Sequence, residues 1–202
     1  MMDAVKEEEY KGYKIEIFVE ENAESPREWD NLGKMLACHN RYNLGDVERI
    51  SVDEIKETVE PLLKRKDAVV LPLYVYEHGG ITMNTSGFSC PWDSGMVGYI
   101  YADADAVREN FGMVKGAKIG KKVLKHVAEI LKSEVETYAD YLEGNVYGYR
   151  ITNSKGEEMY CLWGFIGDIC KDDCYIMQEA RGMVDHYKKT IHENLELPLV
   201  TV

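Results

Sequence analysis

Two apolar segments that flank a polar loop constrain the fold of this chain most strongly. Val69–Tyr76 and Met96–Tyr101 are rich in β-branched and aromatic residues, which indicates two core strands. Between them, EHGGITMNTSGFSCPWDSG (77–95) is dense in small, hydroxyl and turn-forming residues. Loops held by rigid strands often carry binding or catalytic side chains. We therefore expect the working surface of the protein at this loop.

Periodicity elsewhere predicts further elements. Alternation of apolar and polar residues over 10–19 indicates a half-buried strand, and Ser51 with Glu54 has the spacing of a capping box that begins a helix. The short apolar run Lys34–Cys38 suits a strand or a helix equally. Apolar stripes and turn signals predict helices at 52–65, 104–110, 119–142 and 172–194, and a strand hairpin at 146–152 and 159–166.

These elements predict an α+β fold in a single domain: a mainly antiparallel sheet of about five or six strands with three or four packed helices. Residues 1–9 are expected to be a flexible acidic leader and residues 10–202 the domain. The N-terminus lacks the apolar core of a signal peptide, and no apolar run approaches the roughly 20 residues that cross a bilayer. The sequence therefore predicts a cytoplasmic protein.

The formal net charge is −12, from 36 acidic and 24 basic residues. Such a charge repels phosphates and anionic membranes and favours basic partners, although it also serves solubility alone. The five cysteines are an odd number, which predicts reduced thiols. Cys170 and Cys174 are four residues apart, but no CxxC pair or suitably spaced histidine accompanies them. We expect no metal and no cofactor.

The loop before Met96 offers one arrangement for catalysis. A thiol or hydroxyl attacks when a nearby base takes its proton and a third group orients that base. Cys90 or Ser94 as nucleophile, His78 as base and Asp93 as carboxylate would form such a set. The alternative is a tight turn that Asp93 and Ser94 close. Neither GxSxG nor GxGxxG occurs in the chain.

Other polar and aromatic groups allow two interpretations each. The segment 29–46 carries Trp29 and a cluster that either binds a ligand or closes turns, namely Asp30, Asn31, His39, Arg41, Asn43 and Asp46. Trp163, in WGFIGD (163–168), would line a pocket or pack in the core.

Carboxylates gather in three places, where they either imitate a phosphate backbone or form solvated faces. The groups are Glu7–Glu9 with Glu20, Glu21 and Glu24; Glu129, Glu134, Glu136, Asp140 and Glu143; and Asp168, Asp172 and Asp173.

Several segments together resemble a widespread family of uncharacterised proteins carried by phages and mobile elements. They are SPREWDNLG (25–33), HNRYNLGD (39–46), LPLYVYEHGGITMNT (71–85) and SCPWDSGMVGYIY (89–101), with EVETYADYLEGNVYGY (134–149) and CLWGF (161–165) more loosely. The resemblance implies an anti-defence factor, similar to the anti-CRISPR proteins that act on RNA-guided nucleases. This chain has Asn40 and Arg41 after its histidine where the family tends to have a basic pair.

The leading hypothesis is a non-enzymatic inhibitor, in the host cytoplasm, of a defence nuclease or its guide-RNA complex. The alternative is a small enzyme or nucleotide-binding protein whose pocket is formed by the 39–46 and 77–95 loops. The expected binding residues are Trp29, Asp30, Asn31, His39, Arg41, Asn43, Asp46, Glu77, His78, Trp92, Asp93, Ser94 and Trp163, and the alternative catalytic set is His78, Cys90 and Asp93.

Overall fold

A computed structural model describes residues 3–196 of the chain, with side chains through residue 190. The α+β prediction is confirmed, because these residues form antiparallel strands and four α-helices. In chain order the elements are β1 Lys6–Tyr10, β2 Tyr13–Val19, β3 Lys34–Ala37, α1 Val52–Leu63, β4 Val69–Glu77, β5 Ile81–Asn84, β6 Ser94–Ala102, α2 Ala104–Asn110, α3 Lys121–Leu142, β7 Val146–Thr152, β8 Glu158–Ile166 and α4 Tyr175–Glu196.

The chain divides into two compact units. Unit 1 takes in the described parts of Met1–Ala23 and Gly144–Val202, and unit 2 is Glu24–Glu143. Each unit has its own four-stranded antiparallel sheet, whereas the sequence predicts one sheet of five or six strands over residues 10–202. Residues 197–202 of that predicted domain lie outside the described residues.

Unit 1 has the strand order β1-β2-β7-β8. A two-residue turn joins β1 to β2, with positive φ at Lys11 and Gly12, as a hairpin turn of the favoured hand requires. Helix α4 packs on one face of the sheet, where Ile15 and Ile17 of β2 are fully buried. The strand predicted from residue 10 is confirmed over 13–19, whereas Lys11 and Gly12 form the turn before it. The hairpin predicted at 146–166 is confirmed by the antiparallel pairing of β7 with β8.

Unit 2 has the strand order β3-β6-β4-β5, with a helix on each face of the sheet. On one face, Val127 and Leu131 of α3 pack against strand residues such as Ile100. On the other face, Ile55 and Val59 of α1 form a smaller core. Ser51 accepts from the N–H of Glu54, whose side chain accepts from the N–H of Ser51 in return, so the predicted capping box is confirmed.

Two further predictions need correction. Residues 6–9 belong to β1, so the leader prediction is wrong for them: KEEEY lacks an apolar alternation, and its pairing with β2 and ion pairs such as Glu8–Arg181 order it instead. Strand β5 lies inside the segment predicted as one loop. Within the described chain, no helix is long and apolar enough to cross a membrane.

Strand directions in unit 2 determine which loops meet. Strands β3 and β4 both run antiparallel to β6, so their C-terminal ends lie beside the N-terminal end of β6. The loop after β3, the turn after β4 and the loop before β6 therefore reach the same end of the sheet. These are the segments that the sequence singles out at 39–46 and 77–95.

Candidate functional site

A cavity of about 630 Å³ lies among those three loops. Three loops form its walls, and the predicted binding residue His78 is not among the lining residues. The walls come from His39, Arg41, Tyr42, Glu77, Gly79, Gly80 and residues 92–95, and Val75 and Val97 also line the cavity. None of these lining residues belongs to a helix. We call this cavity the loop pocket. Its size is typical of sites for small molecules.

Strands β4 and β6 form the floor of the loop pocket, through Val75, Gly95 and Val97. Val75 pairs with Gly95 across β4 and β6, and cross-strand partners share a face of the sheet. Val97 has no partner on β4, because the register shifts there from Leu73↔Gly98 to Tyr74↔Met96. Such a bulge re-aims the strand, and bulges are common beside functional sites. A Cβ added at Gly95 would meet no atom within 4 Å, so this glycine leaves the floor open.

Two basic side chains hold the carboxylate of Glu77 on the pocket wall. Arg41 Nη1 donates to Glu77 Oε1, and His39 Nε2 lies 3.5 Å from Glu77 Oε2. His39 Nδ1 accepts from the backbone N–H groups of Arg41 and Tyr42, at 3.3 Å each. Nδ1 is therefore the unprotonated nitrogen, and the proton of the neutral ring lies on Nε2, facing Glu77.

The alternative catalytic residues lie close together, but in an order that does not suit nucleophilic catalysis. Cys90 Sγ is 3.5 Å from Asp93 Oδ2, and His78 Nδ1 is 3.4 Å from the same oxygen. A triad places the imidazole between nucleophile and carboxylate, whereas here both groups contact the carboxylate. Ser94 Oγ donates to the carbonyl of Cys90, which closes the turn. The arrangement resembles the turn interpretation more closely than the catalytic one.

Aromatic rings stand at two sides of the loop pocket. Trp92 is 92% exposed, the largest exposed fraction among the large hydrophobic residues of the described chain. Tyr42 also lines the pocket. Its ring is tilted against that of His39, with the centroids 5.4 Å apart, and lies 5.7 Å beneath the Arg41 guanidinium. An indole left in water beside a cavity is a ready contact surface for a ligand or a partner.

Other predicted binding residues lie outside the loop pocket. Trp29 and Asp30 are exposed, and the Asn31 amide donates to the carbonyls of Pro26 and Trp29. Asp46 accepts from Arg27 and from the backbone N–H of Met35 at 2.7 Å. Asn31 and Asp46 thus stabilise the loop that carries His39.

Two further predicted residues fall in other places. Asn43 lines an adjoining cavity of about 480 Å³, on the other side of the His39–Tyr42 segment. Trp163 belongs to unit 1, where it is 41% exposed and lies over Gly148 and beside Phe18. Trp163 is therefore a packing residue of its own unit.

Many of the clustered carboxylates are occupied by partners within their own unit. Glu134 of α3 accepts from the backbone N–H groups of Leu32 and Gly33 and from Arg27, so it interrupts the predicted acidic face of that helix. In unit 1, Glu8 pairs with Arg181, and this bond keeps the pKa of Glu8 below its usual range. These contacts favour the interpretation of structural or solvated carboxylates over phosphate mimicry.

Tyr42, Val75, Gly95 and Val97 line the loop pocket but were absent from the predicted site. One signal was available in the sequence, because alternation along β4 puts Val75 on the same face as Glu77. The bulge at Val97 leaves no such signal. Among the described residues, no group of three or more His, Cys, Asp or Glu side chains could hold a metal ion. Comparison with family models, with curated proteins and with solved structures finds no match for this chain.

Proposed function

We propose that this chain is a non-catalytic binding protein whose recognition site is the loop pocket. The observation that carries the proposal is the convergence of three loops on one cavity at the same end of the sheet of unit 2. The exposed Trp92 and the open floor at Gly95 support it, because both leave room for a bound molecule. The contacts of Asp93 with both Cys90 and His78 support binding over nucleophilic catalysis.

A variant that fills the pocket tests this proposal. Gly95→Leu adds a side chain to the floor, on the face shared with Val75, where the added Cβ meets nothing. Met96→Leu, one residue further along β6, is the control, because strand neighbours point to opposite faces. Met96 is 47% exposed, so the control should not disturb packing.

The measurement is a thermal-shift screen of nucleotides, amino-acid derivatives and other metabolites. A ligand present at 100 times its Kd stabilises the native state by about 2.7 kcal/mol, a shift that such a screen detects. We expect stabilising compounds to lose their effect on Gly95→Leu and to keep it on Met96→Leu. Compounds that stabilise Gly95→Leu as well as the wild type, or a screen with no stabilising compound, would contradict the proposal.

A second candidate is inhibition of a host RNA-guided nuclease, with the loop pocket facing the partner protein. Trp92 favours it: the side chain is 92% exposed in the free protein, and tryptophans that a partner buries are frequent hot spots of protein interfaces. The net charge of −12 supports a basic partner.

The test is a pull-down with the nuclease and its guide RNA, followed by a DNA-cleavage assay with the purified chain. Trp92→Ala should lose inhibition tenfold or more, as loss of a hot spot does. Trp29→Ala, at a tryptophan that is 49% exposed in the same unit, is the control and should keep inhibition. Uninhibited cleavage with the wild-type chain, or equal inhibition by Trp92→Ala, would end this candidate.

A further inference from the structure

We infer that the loop pocket recognises a guanidinium group, and that Arg41 occupies the place of that group in the free protein. The inference rests on the proposed binding function and names the chemistry of the ligand. The guanidinium can belong to a small molecule or to an arginine side chain of another protein. Three features of the pocket carry the argument: a fixed carboxylate, a weakly held internal cation, and a second carboxylate beside an exposed indole.

Glu77 is a carboxylate held in place independently of Arg41. Its side chain is 26% exposed and faces Nε2 of His39, whose side chain is only 14% exposed. The His39 ring is itself fixed, because Nδ1 accepts two backbone N–H groups of its own loop. Removing Arg41 therefore leaves the carboxylate at the same position, with Oε1 free to accept a new donor.

Arg41 is held far more weakly than His39. Its side chain is 70% exposed, and exposed ion pairs contribute little because water screens them. Beyond Glu77, it contacts the Tyr42 ring, at 5.7 Å from the ring centroid. A ligand with the same planar donor group could take its place at Glu77 at small cost. The existing contact also demonstrates that this carboxylate accepts a guanidinium.

The wall next to Glu77 suits the same group. The backbone N–H of Glu77 donates to the carbonyl of Asp93 at 2.8 Å, so the two carboxylate residues are cross-strand neighbours. Asp93 is 36% exposed and lines the pocket beside Trp92. A guanidinium donates to carboxylates through its fork and stacks on an indole face, which an ammonium ion matches less well.

The charge of the lining has the sign that such a ligand needs. Arg41 contributes one positive charge, while Glu77 and Asp93 contribute two negative charges, and the neutral His39 contributes none. Displacing Arg41 into solvent makes the pocket more negative at the moment of binding. The net charge of −12 on the whole chain attracts cations in the same sense.

The test compares two probes by calorimetry, Nα-acetyl-arginine amide and its uncharged isostere Nα-acetyl-citrulline amide. The arginine probe should bind at least ten times more tightly than the citrulline probe. Glu77→Gln should weaken binding of the arginine probe tenfold or more, since it turns a charge-assisted hydrogen bond into a neutral one. Asp93→Asn should weaken it less, and denaturation curves of both variants should establish that they fold.

The change in affinity on Arg41→Ala decides whether Arg41 occupies the ligand's place. If Arg41 is a placeholder, its removal should strengthen binding of the arginine probe about two- to fivefold, the worth of an exposed ion pair. Arg65→Ala is the control: it removes an equally charged, exposed arginine that pairs with Asp67 away from the pocket, and it should leave affinity unchanged. Weaker binding by Arg41→Ala, or equal affinity for the two probes, would overturn the inference.

A peptide with one central arginine, compared with the amide probe, separates the two sources. Much tighter binding of the peptide indicates a protein partner, and equal binding indicates a small molecule. The inference and the proposed function fail differently. Anionic or uncharged compounds whose effect is lost in Gly95→Leu would end the guanidinium inference and leave the binding function standing. Arginine binding that survives in Gly95→Leu would remove the loop pocket as the site of both.

Discussion

Arg27 donates two hydrogen bonds to the carboxylate of Asp46, from Nε at 2.7 Å and from Nη2 at 3.0 Å. The same guanidinium donates to Glu134 of α3 at 3.2 Å and to the carbonyl of Gly33 at 2.6 Å. Only 3% of the Arg27 side chain is exposed. Burial alone would lower the pKa of Arg27, but its bonds to Asp46 and Glu134 outweigh burial and raise it. This network ties the 25–46 loop, which carries His39 and Arg41, to the helix behind the sheet.

We predict that Arg27→Ala destabilises unit 2 by about 3 to 5 kcal/mol, because removing one partner leaves the others as charges without compensation in a partly buried place. Urea denaturation at neutral pH measures the change. Arg65→Ala, at an exposed ion pair with Asp67, should destabilise the unit far less, because solvent screens that pair. Equal effects of the two substitutions would show that the network does not stabilise the loop.

The helices and hairpins could be predicted because their signals are local. The helix 104–110 and the hairpin at 146–166 follow from periodicity and flanking turns alone. Strand β1 could not be predicted, since it is formed by pairing with β2 and by the contact of Glu8 with Arg181, which lies 173 residues away in the chain. The distribution of strands over two sheets likewise depends on long-range pairing, which a local residue pattern does not reveal.

For the site, the sequence identified the segments, but it did not show which of their residues line the pocket and which stabilise the loops. Asp46 and Glu77 are both carboxylates in or beside polar loops. Only the structure shows that Asp46 accepts from the backbone of Met35 and anchors its loop, whereas Glu77 lines the pocket. The meeting of His39 with Glu77 depends on the strand order β3-β6-β4, which the sequence does not encode locally. Trp163 and Trp92 looked equivalent, yet one packs over a glycine and the other faces solvent.

We predict that Gly148→Ala destabilises unit 1 by about 1 to 3 kcal/mol, as overpacking does. A Cβ at Gly148 would lie 2.1 Å from Cε3 of Trp163, so the indole must move. Denaturation measures the loss, and quenching of Trp163 fluorescence in a Trp29→Phe, Trp92→Phe background should rise with it.

Gly182→Ala is the control for this substitution. It lies in α4 of the same unit, and its added Cβ meets nothing within 4 Å. We expect it to stabilise the unit by about 0.4 to 1 kcal/mol, because alanine restricts the unfolded chain and favours helix. If Gly148→Ala left the free energy of unfolding unchanged, the Trp163 indole would have moved aside without loss of stability, which would contradict the prediction.

The last prediction concerns Tyr149, which is 1% exposed in the core of unit 1. Burial, followed by the nearby Tyr160 and Glu179, raises the pKa of Tyr149 to about 12. An unfolded tyrosine titrates near pH 10 by the general reference value. The folded state therefore holds this proton more tightly. Its contribution to stability is complete below about pH 10 and is lost as the pH rises towards the folded pKa.

The free energy of unfolding should thus fall by about 2 to 3 kcal/mol between roughly pH 10 and pH 12 through this group. Tyr149→Phe removes the titrating hydroxyl, so urea denaturation across this range should show a shallower loss of stability for the variant. Tyr42→Phe, at an exposed tyrosine of unit 2, should keep the wild-type slope. A variant as sensitive to alkali as the wild type would mean that Tyr149 loses its proton at the same pH folded and unfolded, which burial in an apolar core does not allow.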